Sequence, residues 1–264
     1  MILSDKLGFA FVHIPKCAGT SVKRVLRAID TTGLTFRGIA NHPEMGAVHM
    51  AHLTMSDFAT YYPDEFERVS RYRSMAIMRD PTERFHSAIF QRLREFKEVP
   101  QSAISAAMIE SEARDVISYL ESAPHRLDVE HVHFNRQSDF IELDGERIVE
   151  RLFSLDNMAA AIDHIHRLTG VQVGKDHENR TTQFRFRALR PLQRLLRDPY
   201  VHLVPSDRRL WIREKMTRAR LYQELPKQQF GRTDGSTARF IREYYARDFE
   251  LLAACATDQA AQAA

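Results

Sequence analysis

The first 30 residues alternate apolar and polar positions in the pattern of a strand, a tight loop and a helix. The apolar run Phe9–Val12 predicts a buried strand. Pro15, Lys16 and Gly19 then indicate a compact turn. The following stretch, 21–29, is predicted to be a helix because its apolar residues recur at helical spacing: Val22, Val25, Leu26 and Ile29.

A second unit of the same kind follows about 60 residues later. The apolar segment Ser74–Met78 predicts another buried strand, and Arg79, Asp80 and Pro81 come directly after it. The stretch Thr82–Phe96 then carries apolar residues on one helical face. Because both units place polar residues just beyond a strand, we expect them to meet at one edge of a sheet.

The remaining patterns alternate in the same way. Helices are predicted over 56–62, 102–122, 157–168, 207–221 and 237–254, and shorter strands near 34–39, 131–134, 148–155 and 201–204. Such alternation predicts an α/β fold of the P-loop-like, three-layer α/β/α type with a mostly parallel central sheet. We expect one domain over residues 1–255 and a flexible tail over 256–264, which is rich in Ala and Gln.

The first loop has the chemistry of an anion site. It presents backbone N–H groups at the positive end of a helix, and Lys16 adds a full charge while Thr20 and Ser21 add hydroxyls. It differs from the nucleotide-triphosphate loop G-x-x-x-x-G-K-[ST], because here Lys16 precedes Gly19 by three residues. Arg79 and Ser87 are placed to reach one further anion.

These residues resemble a known family. His13-Ile14-Pro15-Lys16-Cys17-Ala18-Gly19-Thr20-Ser21 is similar to the 5′-phosphosulfate loop of the PAPS-dependent sulfotransferases, and Arg79-Asp80-Pro81-x-x-Arg84-Phe85-x-Ser87 is similar to their 3′-phosphate motif. The branch that it most resembles includes the heparan, chondroitin and uronyl 2-O-sulfotransferases and bacterial relatives. Looser likenesses cover His133–Phe140, with Gln137, and the late segments 177–182 and 244–249. Position 17 departs from the pattern, since Thr is commonest there.

The resemblance implies the donor 3′-phosphoadenosine 5′-phosphosulfate (PAPS), the product PAP and no metal. It implies that the donor is bound by Pro15, Lys16, Cys17, Ala18, Gly19, Thr20, Ser21, Arg79, Ser87, Arg180 and Thr181. Arg84 is open to two interpretations, since it can pair with a phosphate or with Asp80. Three pairs of nearby histidines lack the cysteine or carboxylate pattern of a zinc site.

Sulfuryl transfer needs a cation at the leaving phosphate and a base for the acceptor hydroxyl. Lys16 is the candidate cation. His52 is the candidate base, because its segment is similar to the histidine segment of the uronyl 2-O-sulfotransferases; His49 is its rival, and Glu83 or Glu95 is a third option. The implied acceptor is a small molecule or carbohydrate that can itself be anionic, and the acceptor site is expected in 33–62 and 95–135.

Two other functions stay open from the sequence. One is a P-loop kinase or phosphotransferase, although the chain lacks G-K-[ST]. The other is a non-catalytic relative that binds PAP or a polyanion, using a basic region over 180–220 with twelve Arg and Lys residues against three acids. No nucleic acid is expected as a partner, and the oligomeric state is left open.

The expected location is the cytoplasm of a bacterium. The chain has two cysteines at opposite ends, which suggests no disulfide framework, and no apolar run long enough to span a membrane. Asp5 and Lys6 interrupt the N-terminal segment, which therefore does not resemble a signal peptide or the anchor of Golgi relatives.

Overall fold

A four-stranded sheet lies at the centre of the structure, a computed structural model that describes residues 1–33, 35–122, 126–172, 182–184, 222–224 and 235–263. Its strands stand in the order β1 (Ile2–Ser4), β2 (Phe9–Val12), β5 (Arg73–Met78) and β8 (Arg151–Ser154). Only β1 is antiparallel to its neighbour, and the other two pairs are parallel. The predicted mostly parallel sheet is therefore confirmed.

The described residues also form three two-stranded antiparallel sheets, of which the first two are hairpins. They are β3 (Ile39–His42) with β4 (Gly46–His49), β6 (Glu142–Leu143) with β7 (Glu146–Arg147), and β9 (Thr182–Phe184) with β10 (Tyr222–Glu224). The helices, in chain order, are α1 (Gly19–Leu26), α2 (Met55–Tyr61), α3 (Pro63–Arg71), α4 (Pro81–Glu95), α5 (Ala106–Glu121), α6 (Met158–Thr169), α7 (Gly235–Tyr244) and α8 (Ala246–Ala263).

Local sequence explains where several helices begin. Thr54 and Asp57 form a reciprocal capping box at the start of α2, which therefore begins one residue before the predicted 56. The Asp80 side chain accepts a hydrogen bond from the backbone N–H of Glu83 at the start of α4, and Pro81 occupies its first position. The motif after β5 is therefore a helix start as well as a candidate phosphate site.

The sheet is covered on both faces because side chains alternate along each strand. Phe9 and Phe11 of β2 point to one face, where they join buried residues of α1 and α6. Ala10 and Val12 point to the other face, where they join buried residues of α2, α3 and α8. The three-layer α/β/α arrangement follows from this alternation and confirms the predicted fold class.

Some sequence predictions are corrected. The segment predicted as a strand over 131–134 contains a single 3₁₀ turn, Val132–Phe134, because Phe134 packs with Phe85 and Tyr245 in a helical core. The strand expected near 34–39 begins only at Ile39. β1 and α3 were not predicted. The strand 201–204 and the helix 207–221 lie outside the described residues.

The chain divides into two compact units, Met1–Gly174 with Phe230–Ala264, and Lys175–Gln229. In the second unit the structure describes the paired strands β9 and β10. α8 runs through the residues expected to form the tail, and the single domain over 1–255 stays a prediction. In the described part of the chain, no helix has both the length and the apolar content needed to cross a membrane.

Candidate active site

The loop between β2 and α1 has a strained, closely packed backbone. Lys16 and Ala18 adopt left-handed conformations, with φ of 68° and 56°, which are uncommon for residues other than glycine. Gly19 opens α1, and a Cβ atom there would lie 1.8 Å from Nδ1 of His13. Glycine is therefore required at position 19 because the His13 ring occupies the space of a side chain. The loop and the start of α1 contain the predicted residues Pro15–Ser21.

The Lys16 side chain is held by α4. Its Nζ donates a hydrogen bond to Oε1 of Gln91 at 2.7 Å, and Nε2 of Gln91 donates to Glu95 at 2.8 Å. Desolvation lowers the pKa of Lys16 from 10.5 to about 8, although the Glu95 carboxylate opposes this shift. Lys16 is thus a cation at neutral pH whose charge is poorly compensated by the protein.

Arg79 ends β5 and pairs with a neighbouring carboxylate. Its Nε and Nη2 donate to Oε2 of Glu83 at 3.1 and 3.0 Å. Because Glu83 is exposed, this pair contributes at most about 1 kcal/mol, and an incoming phosphate can compete for the guanidinium. Ser87 lies two helical turns along α4 and is partly buried.

One buried amide joins the loop after β2 to the end of β5. Oε1 of Gln137 accepts hydrogen bonds from the backbone N–H of Arg79 at 2.9 Å and from the Cys17 thiol at 3.3 Å. Its Nε2 donates to the carbonyl of Arg79 at 2.8 Å. Burial raises the pKa of Cys17 to about 12, so the thiol keeps its proton and acts as a donor. Cys17 therefore connects the loop to Gln137.

Gln137 is itself fixed by α8. The carboxylate of Asp248, which is completely buried, accepts from the backbone N–H groups of Gln137 and Ser138 at 2.7 and 2.8 Å. Tyr245 on the preceding turn donates to the carbonyl of Phe134 at 2.8 Å. Asp248 and Tyr245 thus hold the backbone around Gln137, and through Gln137 they support both predicted phosphate sites. A sequence motif does not reveal these contacts, because they join residues distant along the chain.

Arg84 belongs to this buried support. It is 1% exposed and donates to the carbonyls of His133 and Asn135, with the Asp248 carboxylate 4.0 Å away. Its guanidinium also lies over the Tyr245 ring, 5.2 Å from the centroid. Its partners among the described residues do not include Asp80, so the predicted pair with Asp80 is not formed, and a contact with a phosphate stays a prediction.

Four histidine rings cluster next to the loop. His52 lies at the end of a 3₁₀ turn, Met50–His52, with its Nε2 3.3 Å from Nε2 of His133. The rings of His49 and His13 have centroids 4.1 and 5.2 Å from that of His52. The sequence identified His52 and His49 as candidate bases, but it did not predict that His13 and His133 lie beside them. Residues so distant along the chain share no pattern that would show this proximity.

The cluster is buried and electrically neutral at pH 7. Burial lowers the pKa of all four rings, and that of His133 to about 3. The Nδ1 atoms of His13, His49 and His52 have no hydrogen-bond partner in the described part of the chain. A buried ring nitrogen without a partner costs free energy, so these atoms suit a ligand that supplies a hydroxyl.

The histidines line a cavity of about 360 Å³. Gln91, which holds Lys16, lines the same cavity. Gln91 therefore connects Lys16 to the histidine cavity, and the charge of Lys16 is close enough to His133 to contribute to its lowered pKa. His49 and His52 both line the cavity; His52 is the more buried, and its Nε2 lies within hydrogen-bond distance of Nε2 of His133.

The other predicted residues are placed as follows. Glu83 pairs with Arg79, and the exposed Glu95 bonds to Gln91, so both carboxylates are engaged outside the histidine cluster. Arg180, Thr181 and the basic region 180–220 lie outside the described residues. Among the described side chains, no group of three His, Cys, Asp or Glu residues is arranged to hold a metal ion.

Comparison with known proteins gives one match. A family model described as "Sulfotransferase family" matches residues 1–253, almost the whole chain. Neither the curated proteins nor the solved structures contain a significant match. The match confirms the family resemblance of the two phosphate motifs, while the branch stays a prediction.

Proposed function

Because the chain belongs to the sulfotransferase family, we propose that it transfers a sulfuryl group from PAPS to a hydroxyl of a carbohydrate acceptor. One observation carries this proposal. A lysine beside a helix N-terminus donates a hydrogen bond to Gln91, and Gln91 lines one cavity together with a cluster of neutral histidines. A cation for the leaving group and a base for the attacking hydroxyl are the two groups that this reaction needs.

The donor is bound at the ends of β2 and β5. The backbone N–H groups at the start of α1, with Lys16, Cys17, Thr20 and Ser21 nearby, suit the 5′-phosphosulfate. Arg79 suits the 3′-phosphate as a planar fork once Glu83 is displaced, and the Ser87 hydroxyl is a second donor. Arg180 and Thr181 complete the proposed set.

PAPS supplies the activated sulfuryl group, and the protein's residues manage charge and protons. His52 takes the proton of the acceptor hydroxyl as its oxygen forms a bond to sulfur. Its Nδ1 is the available lone pair when its Nε2–H donates to His133. Lys16 stabilises the negative charge on the phosphate oxygen whose bond to sulfur breaks, and the products are the sulfate ester and PAP.

Calorimetry with PAP in the absence of Mg²⁺ tests the donor site. We expect micromolar binding that Arg79→Ala weakens about 10- to 100-fold, since a charge-assisted contact to phosphate is lost. Arg71→Ala is the matched control, because Arg71 also pairs with a glutamate four residues away but lies on α3. Failure to bind PAP, together with tight binding of Mg·ATP, would contradict the proposal and favour a kinase.

Transfer of labelled sulfate from PAPS across a panel of carbohydrates tests the chemistry. We expect Lys16→Met to lower turnover about 10²- to 10³-fold, the usual loss for one electrostatic donor, while the exposed Lys6→Met changes nothing. His52→Ala should reduce turnover more than His49→Ala. PAP binding without transfer to any acceptor would instead support a non-catalytic PAP-binding protein.

A further inference from the structure

The cavity has a second set of side chains that the proposed reaction does not use. Lys23 on α1 lines it together with Arg37 and with Arg27, which begins the 3₁₀ turn Arg27–Ile29 directly after α1. Asp30 is the one acidic residue among the side chains that line it. Three basic groups against one acid leave this part of the cavity with a positive charge.

The single acid is already engaged. Oδ1 of Asp30 accepts hydrogen bonds from the backbone N–H and the hydroxyl of Thr32 at 3.1 and 2.8 Å. Its Oδ2 lies 3.6 Å from the Arg37 guanidinium, and its side chain is 3% exposed. Asp30 therefore balances Arg37 and has little capacity left for Lys23.

Lys23 is the basic group without a counterion. In the described part of the chain, no carboxylate lies within ion-pair distance of its ammonium, although the residue is partly buried. Desolvation first, and the charges of Arg27 and Arg37 next, lower the pKa of Lys23 from 10.5 to about 8, although the charge of Asp30 opposes this shift in part. Gathering like charges in a half-closed space costs free energy that a bound anion would offset.

The same ammonium acts on the histidine cluster. The charge of Lys23 contributes to the lowered pKa of His13, His49 and His52. Lys23 and the proposed base are thus close enough to interact, and both line one cavity. A single acceptor molecule can therefore contact both.

We propose that this cavity selects an acceptor with an anionic group, a carboxylate, sulfate or phosphate, bound by Lys23 and Arg27 while the acceptor hydroxyl faces His52. The orientation of the hydroxyl rests on the proposed function, whereas the anion site rests on the basic side chains alone. A bound anion also neutralises Lys23, which makes the nearby imidazole a stronger base.

Four sugars that differ only at C6 test the selection: glucose, glucuronate, glucose 6-sulfate and glucose 6-phosphate. They are titrated into the PAP-loaded protein, so that the donor phosphate sites are already filled. We expect at least one anion to bind about 10- to 100-fold more tightly than glucose, the range of a charge-assisted hydrogen bond. The tightest of the three identifies which anionic group the site prefers.

Lys23→Gln should remove the preference, and Lys23→Arg should keep it by retaining the charge. Lys6→Gln, at an exposed lysine outside the cavity, is the matched control and should bind the sugars like the wild type. Thermal melting confirms that each variant is folded. Equal binding of glucose and all three anions, or an anion preference that survives in Lys23→Gln, would overturn the proposal.

The experiments can contradict the proposed donor site and the proposed anion site independently of each other. Lys23→Gln should leave PAP affinity within about 2-fold of the wild type, since Lys23 is not among the proposed donor ligands. If the protein does not bind PAP, the proposed function fails, and the sugars are titrated into the unloaded protein instead. An anion preference lost in Lys23→Gln but kept in Arg79→Ala would still support the basic cavity.

Discussion

Two buried polar regions flank the loop after β2, and they differ in how their polar atoms are paired. In the Gln137–Asp248 network, both carboxylate oxygens accept hydrogen bonds from backbone N–H groups. The amide oxygen accepts from a backbone N–H and a thiol, and the amide nitrogen donates to a backbone carbonyl. In the histidine cavity, three ring nitrogens have no partner in the described part of the chain. Both regions are buried, so burial alone does not separate them.

This difference in pairing distinguishes polar groups that stabilise the fold from polar groups that are placed to contact a ligand. Buried polar groups with full sets of partners stabilise one backbone arrangement, since removing any partner exposes another group to a desolvation penalty. Buried polar groups without partners lower stability and persist where a ligand completes them. On this basis the Gln137–Asp248 network positions the loops of the proposed donor site, and the histidine cavity is the place where the proposed function puts the reacting groups.

The strongest test removes the carboxylate of the paired region. Asp248→Ala leaves two backbone N–H groups and the nearby Arg84 without their buried acceptor. We expect the free energy of unfolding to fall by about 3–5 kcal/mol, measured by urea denaturation. Glu250→Ala, on the same helix but exposed, should change it by less than about 1 kcal/mol. A similar small loss for both variants would show that the Gln137–Asp248 network does not stabilise the fold.

A second test disturbs the contact between the loop and the histidine cavity. Gly19→Ala places a methyl group on the His13 ring, so either the ring or the start of α1 must move. We expect a loss of about 1–3 kcal/mol in the free energy of unfolding and a loss of PAP affinity. Gly235→Ala is the control, because a Cβ there meets no atom within 4 Å. Unchanged PAP affinity in Gly19→Ala would show that the packing of His13 against Gly19 does not affect the proposed donor loop.

A third test uses pH to sharpen the comparison. The ammonium of Lys16 is lost as pH rises through its pKa of about 8, so PAP affinity of the free protein should fall above that pH, by at most about tenfold per unit. Calorimetry between pH 7 and 9.5 measures this. The Lys16→Met variant should bind weakly with no such dependence.

The pH test needs its own control. Lys23 also has a pKa of about 8, so Lys23→Gln must retain the decline if Lys16 is its source. The histidine pKa values lie below the ordinary 6.5 and do not contribute in this range. A decline that persists in Lys16→Met would assign the effect to another group.

The elements that were predicted correctly are those whose formation depends on residues adjacent in the sequence. Phe9–Val12 and Ser74–Met78 were confirmed as strands because continuous apolar runs mark buried parallel strands. The loop around Lys16 was located because glycine, proline and the helix that follows are adjacent in sequence. The family match then confirmed what those two motifs resemble.

Long-range contacts were not predictable in the same way. Arg84 has the position of a phosphate ligand in the motif, but its side chain enters the core and meets carbonyls about 50 residues away. The four histidines of the cavity come from three separate segments, at positions 13, 49–52 and 133, and Lys23 joins them from α1. Nothing in the spacing of these residues distinguishes them from ordinary polar positions.

The Gln137 amide has a consequence for how the two anion sites relate. Because one rigid side chain bonds the backbone of Arg79 and the thiol of Cys17, the separation of the two loops is fixed by the protein and not by a ligand. In the proposed function, this fixed separation sets the spacing between the 5′-phosphosulfate and the 3′-phosphate. A nucleotide that matches this spacing binds without first ordering the loops, and one that does not gains only one of the two contacts.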